Sequence, residues 1–178
     1  VSALGVGAGT TLVVAEILGR TVRSYHVGDS MTLVVGQRGK IKLQTISHSP
    51  VGYAVEAGLL DEAEAMHHED RHVVSNMLGS PAMRIDLGPT IELAPRDTLL
   101  LASDGLFDNL HTEEIVARIR KGPLDRAAHT LFDDCRRRMS GVEEGQPSKP
   151  DDLTFLAFRP MASRPTLRRS SPRNVSPT

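Results

Sequence analysis

Three aspartates in this 178-residue sequence stand where a carboxylate could do chemistry. Asp29 lies in His26-Val27-Gly28-Asp29-Ser30, Asp104 in Ala102-Ser103-Asp104-Gly105, and Asp151 in Lys149-Pro150-Asp151-Asp152. The first two close runs that read as β-strands, and the third opens one. A carboxylate at a strand end is held rigidly yet reaches solvent. A neighbouring glycine lets an ion, a water or a phosphate come close to the backbone. Hard cations such as Mg²⁺ take oxygen ligands of this kind. Asp-Gly is also a common turn pair, so each aspartate taken singly reads more simply as a turn or capping residue.

The elements that must position these residues follow from pattern. Thr11–Leu18 is a β-branched apolar run, and Thr21–Val27 alternates after Gly19-Arg20, which predicts a hairpin. Met31–Val35 and Lys40–Ile46 form a second predicted hairpin. Pro50–Leu60 and Asp61–His68 have helical composition, with Gly58 as a terminator. Val73–Ala82 is ambiguous. Arg84–Leu87 and Thr90–Leu93 read as short strands, and Asp97–Ser103 as a buried strand ending in a polar turn. Thr112 is the expected N-cap of a helix running to Lys121, stopped by Gly122-Pro123. Asp125–Met139 is predicted as an amphipathic helix burying Ala128, Leu131, Phe132 and Cys135. Ser140–Pro150 is a loop and Leu153–Phe158 a last strand. The order favours an α+β domain over a parallel doubly wound one.

Length fits one domain. Residues 160–178 hold four arginines, four prolines and four serines and no acid, and are expected to be a disordered tail. The rest carries 17 basic against 22 acidic side chains, a net charge of −5. An acidic body poor in aromatics argues against a nucleic-acid surface and suits carboxylates gathered around divalent cations. The single cysteine, Cys135, excludes an internal disulfide framework and a thiolate zinc site, and a reducing, cytoplasmic setting is expected. No apolar run approaches membrane-spanning length. The sequence starts without Met, directly before a core-like strand, so a fragment of a longer polypeptide is expected.

Read in order, Gly9-Thr10-Thr11, HVGDS at 26–30, LLLASDGLFDNL at 99–110 and PDDLTFLAF at 150–158 resemble the motif series of the PPM-type metal-dependent serine/threonine phosphatases (protein phosphatase 2C family). Thr45–Ser49 and Leu78-Gly79 resemble segments between those motifs, so the likeness covers about residues 5–160. It implies an antiparallel β-sandwich flanked by helices in αββα layers, without the family's first strands, over residues 1–160. It also implies that Asp104 and Asp151 ligate Mg²⁺ or Mn²⁺, two or three ions in all, with Asp29 linked to the third and weaker one. Asp152 would support, Ser103 and Gly105 would shape a turn, and Asp108 and Asn109 would be structural. The implied reaction is hydrolysis of phosphoserine and phosphothreonine in proteins by an ion-activated water, with no side chain as nucleophile and with the domain acting as a monomer. Met31 stands where arginine often follows Gly-Asp-Ser. The family's Asp-Gly pair that bridges two metals lies ahead of the Gly-Thr-Thr strand, outside this sequence.

Other residues have simpler readings. His67-His68 with Glu69-Asp70 diverge along a helix and read as a solvated end. His26 is expected to pack beside the sheet, Cys135 to face the core, and Arg136-Arg137-Arg138 to complement a helix C-terminus. The alternatives to a phosphatase are a non-catalytic relative that binds phosphoproteins, and an unrelated two-metal hydrolase, against which the motif order speaks.

Overall fold

The computed structural model describes residues 8–160; the segment 161–178, expected to be a tail, lies outside them. Two antiparallel sheets pack face to face. In the first, β1 (Leu12–Leu18) and β2 (Thr21–Val27) form the expected hairpin, turned by Gly19 at φ 62°, and β2 also pairs with the short β5 (Asp86–Leu87) and β6 (Ile91–Glu92). The second has the order β4-β3-β7-β8, from β4 (Ile41–Gln44), β3 (Met31–Val35), β7 (Thr98–Ala102) and β8 (Phe155–Phe158). The fold is α+β, as the sequence led one to expect.

Strand alternation explains the two cores. Val34 and Leu99 point between the sheets, where they meet Val22 and Leu93, with Ala15, Ile17, Leu43 and Phe158 at the margin. Leu33, Val35, Leu100 and Ala102 point the other way, onto the helices α3 (Asp104–Phe107), α4 (Thr112–Ile119) and α5 (Leu124–Met139). Strand β7 is therefore buried on both faces, which accounts for its unbroken apolar run. The opposite face of β1 presents Leu12, Val14 and Leu18 to solvent. Helices α1 (Pro50–Glu56) and α2 (Glu62–Met66) follow β4, and a 3₁₀ turn spans Glu69–His72.

Some local expectations are corrected. Residues 104–107, expected as a turn, form the one-turn helix α3. The N-cap of α4 is His111, whose amide donates to Glu114 Oε2 at 2.9 Å, and not Thr112. Thr112 is instead buried, donating through its amide and hydroxyl to Glu62 of α2. The inner stripe of α5 is Ala127, Leu131, Cys135 and Arg138. Phe132 faces outward, under the Arg136 guanidinium. Arg136, Arg137 and Arg138 do stand in the last turn of α5, as expected, and Arg138 is in addition buried and paired with Glu114 and Glu143. Among the described residues no helix is long and apolar enough to cross a membrane.

Candidate metal centre

The Gly-Asp-Ser turn that carries Asp29 is fixed by sterics and by a histidine. Gly28 has φ 106°, and a Cβ there would lie 2.3 Å from the Thr11 side chain, so only glycine fits. Thr11 and Ser30 share a hydrogen bond of 2.9 Å. His48 is fully buried; its Nδ1 accepts from the Gly28 amide at 3.0 Å and from Asn76 Nδ2 at 2.8 Å. Asn76 is itself oriented by Arg84, donating to its carbonyl and accepting from its amide. Two donors on Nδ1 leave the His48 proton on Nε2, which faces Asp86 Oδ2 at 3.0 Å, off the ideal hydrogen-bond line. His26 stacks on His48 with ring centroids 4.3 Å apart and shares a 2.9 Å hydrogen bond between Nε2 and the Ile46 carbonyl.

His26, His48 and Asp86 have ligand atoms within 4.8 Å of one another, close enough to converge on an ion. The tautomer that Gly28 and Asn76 impose on His48 leaves no lone pair on Nε2, so the group braces the Asp29 turn as it stands. Burial lowers the pKa of His26, only partly opposed by its hydrogen bond to Ile46. His26 thus packs beside the sheet as expected. His48, Asn76 and Asp86 were missed, because their partnership spans segments with no shared periodicity.

The second and third aspartate motifs interlock. The Ser103 amide donates to the Thr154 carbonyl at 3.0 Å, and the Thr154 amide donates to Ser103 Oγ at 3.2 Å. A Cβ on Gly105 would stand 2.3 Å from the Asp152 carbonyl oxygen. Ser103 and Gly105 therefore hold the Asp104 and Asp151 segments against each other, a stronger role than shaping a turn. Asn109, fully buried, completes the clamp. Its Nδ2 donates to the carbonyls of Gly105 and Lys149, both at 2.9 Å, and its Oδ1 accepts the Lys149 amide at 2.8 Å.

These constraints gather four carboxylates. Asp29, Asp104 and Asp108 line one cleft of about 340 Å³, which extends past Thr45, Ser49, Glu62 and Arg71. Asp151 does not line the cleft but is joined to it through Lys149, whose Nζ lies 2.6 Å from Asp108, 2.9 Å from Asp104 and 3.3 Å from Asp151. Burial raises the pKa of Asp29, and the charges of Asp104 and Asp108 add to the rise. Burial likewise raises that of Asp108 against the pull of Lys149. Burial alone would lower the Lys149 pKa, but its hydrogen bonds to Asp108 and Asp104 hold it above the usual range. A crowd of hard oxygen donors whose charges oppose one another fits a divalent cation. Asp29, Asp104 and Asp151 are brought to one region through Lys149 and the Asp29–Asp104 charge interaction, and Asp152 is exposed. Asp108 joins the group, although its sequence position reads as loop. Its spacing from Asp104, one helical turn on at the C-cap of α3, is the signal that could have placed it there.

No family model matches the chain. Over 129 residues it is 33% identical to a protein phosphatase 2C-type protein of Streptococcus pyogenes, covering 71% of this chain and 52% of that protein. Over 111 residues it is 35% identical to the protein phosphatase PhpP of Streptococcus pneumoniae, covering 61% and 44%. The solved serine/threonine phosphatase Stp1 of Staphylococcus aureus matches with a TM-score of 0.72 at 29% identity, covering 86% of this chain and 57% of that one. The catalytic domain of the phosphatase PstP, solved with two manganese ions, matches with a TM-score of 0.65 at 25% identity, covering 84% and 57%. By sequence and by fold the chain belongs with the PPM-type serine/threonine phosphatases. It spans about half the length of the curated relatives it matches.

Proposed function

We propose that this chain is part of a divalent-metal-dependent phosphatase acting on phosphoserine and phosphothreonine in proteins, with Asp104 and Asp151 as ligands of Mg²⁺ or Mn²⁺ and Asp29 toward a further ion. The observation that carries the reading is the convergence of Asp29, Asp104 and Asp108 on one cleft, with Asp151 tied to them through Lys149. When bound, the ions supply a water of lowered pKa and neutralise phosphoryl charge. The chain's own part is positional. Ser103, Gly105 and Asn109 fix Asp104 relative to Asp151, and the His48 brace fixes Asp29. No cysteine nucleophile enters, since Cys135 is buried on α5 and burial pushes its thiol up to about 12. The cleft beyond the aspartates, between β4 and helices α1 and α2, offers a path for a phosphorylated peptide segment.

The test is turnover of a phosphothreonine peptide by the intact polypeptide that carries this chain, with Mn²⁺ and with EDTA, beside Asp104→Asn and Asp151→Asn. The reading requires ion-dependent turnover that both substitutions reduce at least 100-fold. A folded, ion-loaded protein that binds the phosphopeptide without cleaving it would replace the reading with that of a non-catalytic phosphoprotein-binding relative.

A further inference from the structure

We propose that the Lys149 ammonium is a resident cation of the carboxylate cluster, and that a divalent cation enters between Asp104 and Asp151 only by displacing it. The inference rests on the metal-ligand reading above and adds a competitor built into the chain. Lys149 is poorly exposed, with 17% of its side chain accessible, and its ammonium donates to Asp108 at 2.6 Å and to Asp104 at 2.9 Å and pairs with Asp151 at 3.3 Å. Asp151 Oδ1 accepts the Asp152 amide at 2.8 Å, and Oδ2 is the atom facing the ammonium. Asp104 likewise turns Oδ2 to the lysine. The seat of the ammonium and the seat of an ion shared by these two aspartates are the same place, and two cations there would repel.

The stem of the lysine starts from a fixed point. Asn109 holds the Lys149 backbone on both sides of its peptide, and Arg71 donates to the Ser148 carbonyl at 3.0 Å. Among the described residues, the side chain, through its ammonium, makes its polar contacts to the carboxylates. It also borders a second, open cleft of about 550 Å³ lined by His68, Glu69 and Gln146, which gives the displaced ammonium room and an acidic neighbour. The fraction of molecules with the lysine withdrawn therefore scales the apparent ion affinity.

The test is calorimetric titration of Mn²⁺ into the intact polypeptide that carries this chain, wild type beside Lys149→Met and Lys149→Arg, with lysine acylation of the wild type read by mass spectrometry. Lys149→Met should bind Mn²⁺ at least tenfold more tightly, and Lys149→Arg within threefold of wild type. Lys149 should resist acylation in EDTA and become reactive with Mn²⁺. Because the backbone clamp does not use the lysine side chain, Lys149→Met should fold, and the acylation arm needs no variant. Wild-type binding that Lys149→Met leaves equal or weaker, or acylation indifferent to Mn²⁺, overturns the competition and leaves the metal reading standing. Absence of Mn²⁺ binding by every form removes both.

Discussion

Replacing Asn109 by alanine should cost far more than its place in a loop suggests. The side chain is fully buried and makes three hydrogen bonds of 2.8–2.9 Å to the Gly105 carbonyl and to both backbone groups of Lys149. Each bond contributes about 1 kcal/mol net, and a buried group left unpaired costs about 1–3 kcal/mol. Water can reach the Lys149 end, because that residue is half-buried, but not the Gly105 end. The sum is therefore about 2–4 kcal/mol, or roughly 5–15 °C in melting temperature for a chain of this size. Asn109→Asp is nearly the same shape and keeps an acceptor for the Lys149 amide, but it loses both donors and turns a carboxylate toward two carbonyls. It should be at least as damaging as alanine. Urea unfolding in EDTA, followed by circular dichroism, measures both. A loss below about 0.5 kcal/mol for alanine, or a tolerated aspartate, would refute the claim that Asn109 clamps the two motif loops.

Other perturbations have defined outcomes. Gly105→Ala places a Cβ 2.3 Å from the Asp152 carbonyl and should destabilise by about 2 kcal/mol or more and weaken Mn²⁺ binding, read by the same unfolding and by calorimetry. Asp29 has its folded pKa raised by burial and by Asp104, so its ionisation costs stability at neutral pH. Asp29→Asn should raise the melting temperature in EDTA at pH 7 while weakening Mn²⁺ binding, with the gain shrinking as pH falls below the raised folded value and gone below the unfolded value of about 4. His26 has the opposite sign. Its folded pKa is lowered by burial, so its contribution is complete above about pH 6.5 and is lost as pH falls below that value, where the unfolded chain takes up the extra proton. Urea midpoints should drop between pH 7 and pH 5.5. The buried Cys135 thiol, pushed up to about 12, should be silent to Ellman's reagent until the chain unfolds.

Much of this structure was legible because its signals are local. A β-branched apolar run marked β1, alternation marked β2, and the unbroken run before Ser103 marked the doubly buried β7. The three aspartates stood out because glycine or a strand flanks each. What escaped depends on contacts across many residues. Lys149 meets Asp104 and Asp108 over more than forty positions, and nothing about a lysine in a loop announces an inward-facing ammonium. Asn109 follows an apolar-acidic pair like any loop residue, yet it holds that lysine's backbone. Helix α3 was read as a turn because Asp-Gly favours turns; here the glycine is kept in the first helical turn by the close passage of Asp152. Phe132 was assigned to the core by helical spacing with Ala128, Leu131 and Cys135, but the inward stripe of α5 runs through Ala127, Leu131 and Cys135, and the ring finds the Arg136 guanidinium instead.

The claim on which the rest depends is that the aspartate cluster holds the ions that cleave a phosphomonoester. The most direct measurement is hydrolysis of p-nitrophenyl phosphate by the intact polypeptide, titrated with Mn²⁺, beside its Asp104→Asn variant. The account predicts hydrolysis that appears with Mn²⁺ and falls at least 100-fold in the variant, with the fold unchanged by circular dichroism. Hydrolysis indifferent to Mn²⁺, or undiminished without the Asp104 carboxylate, would contradict it.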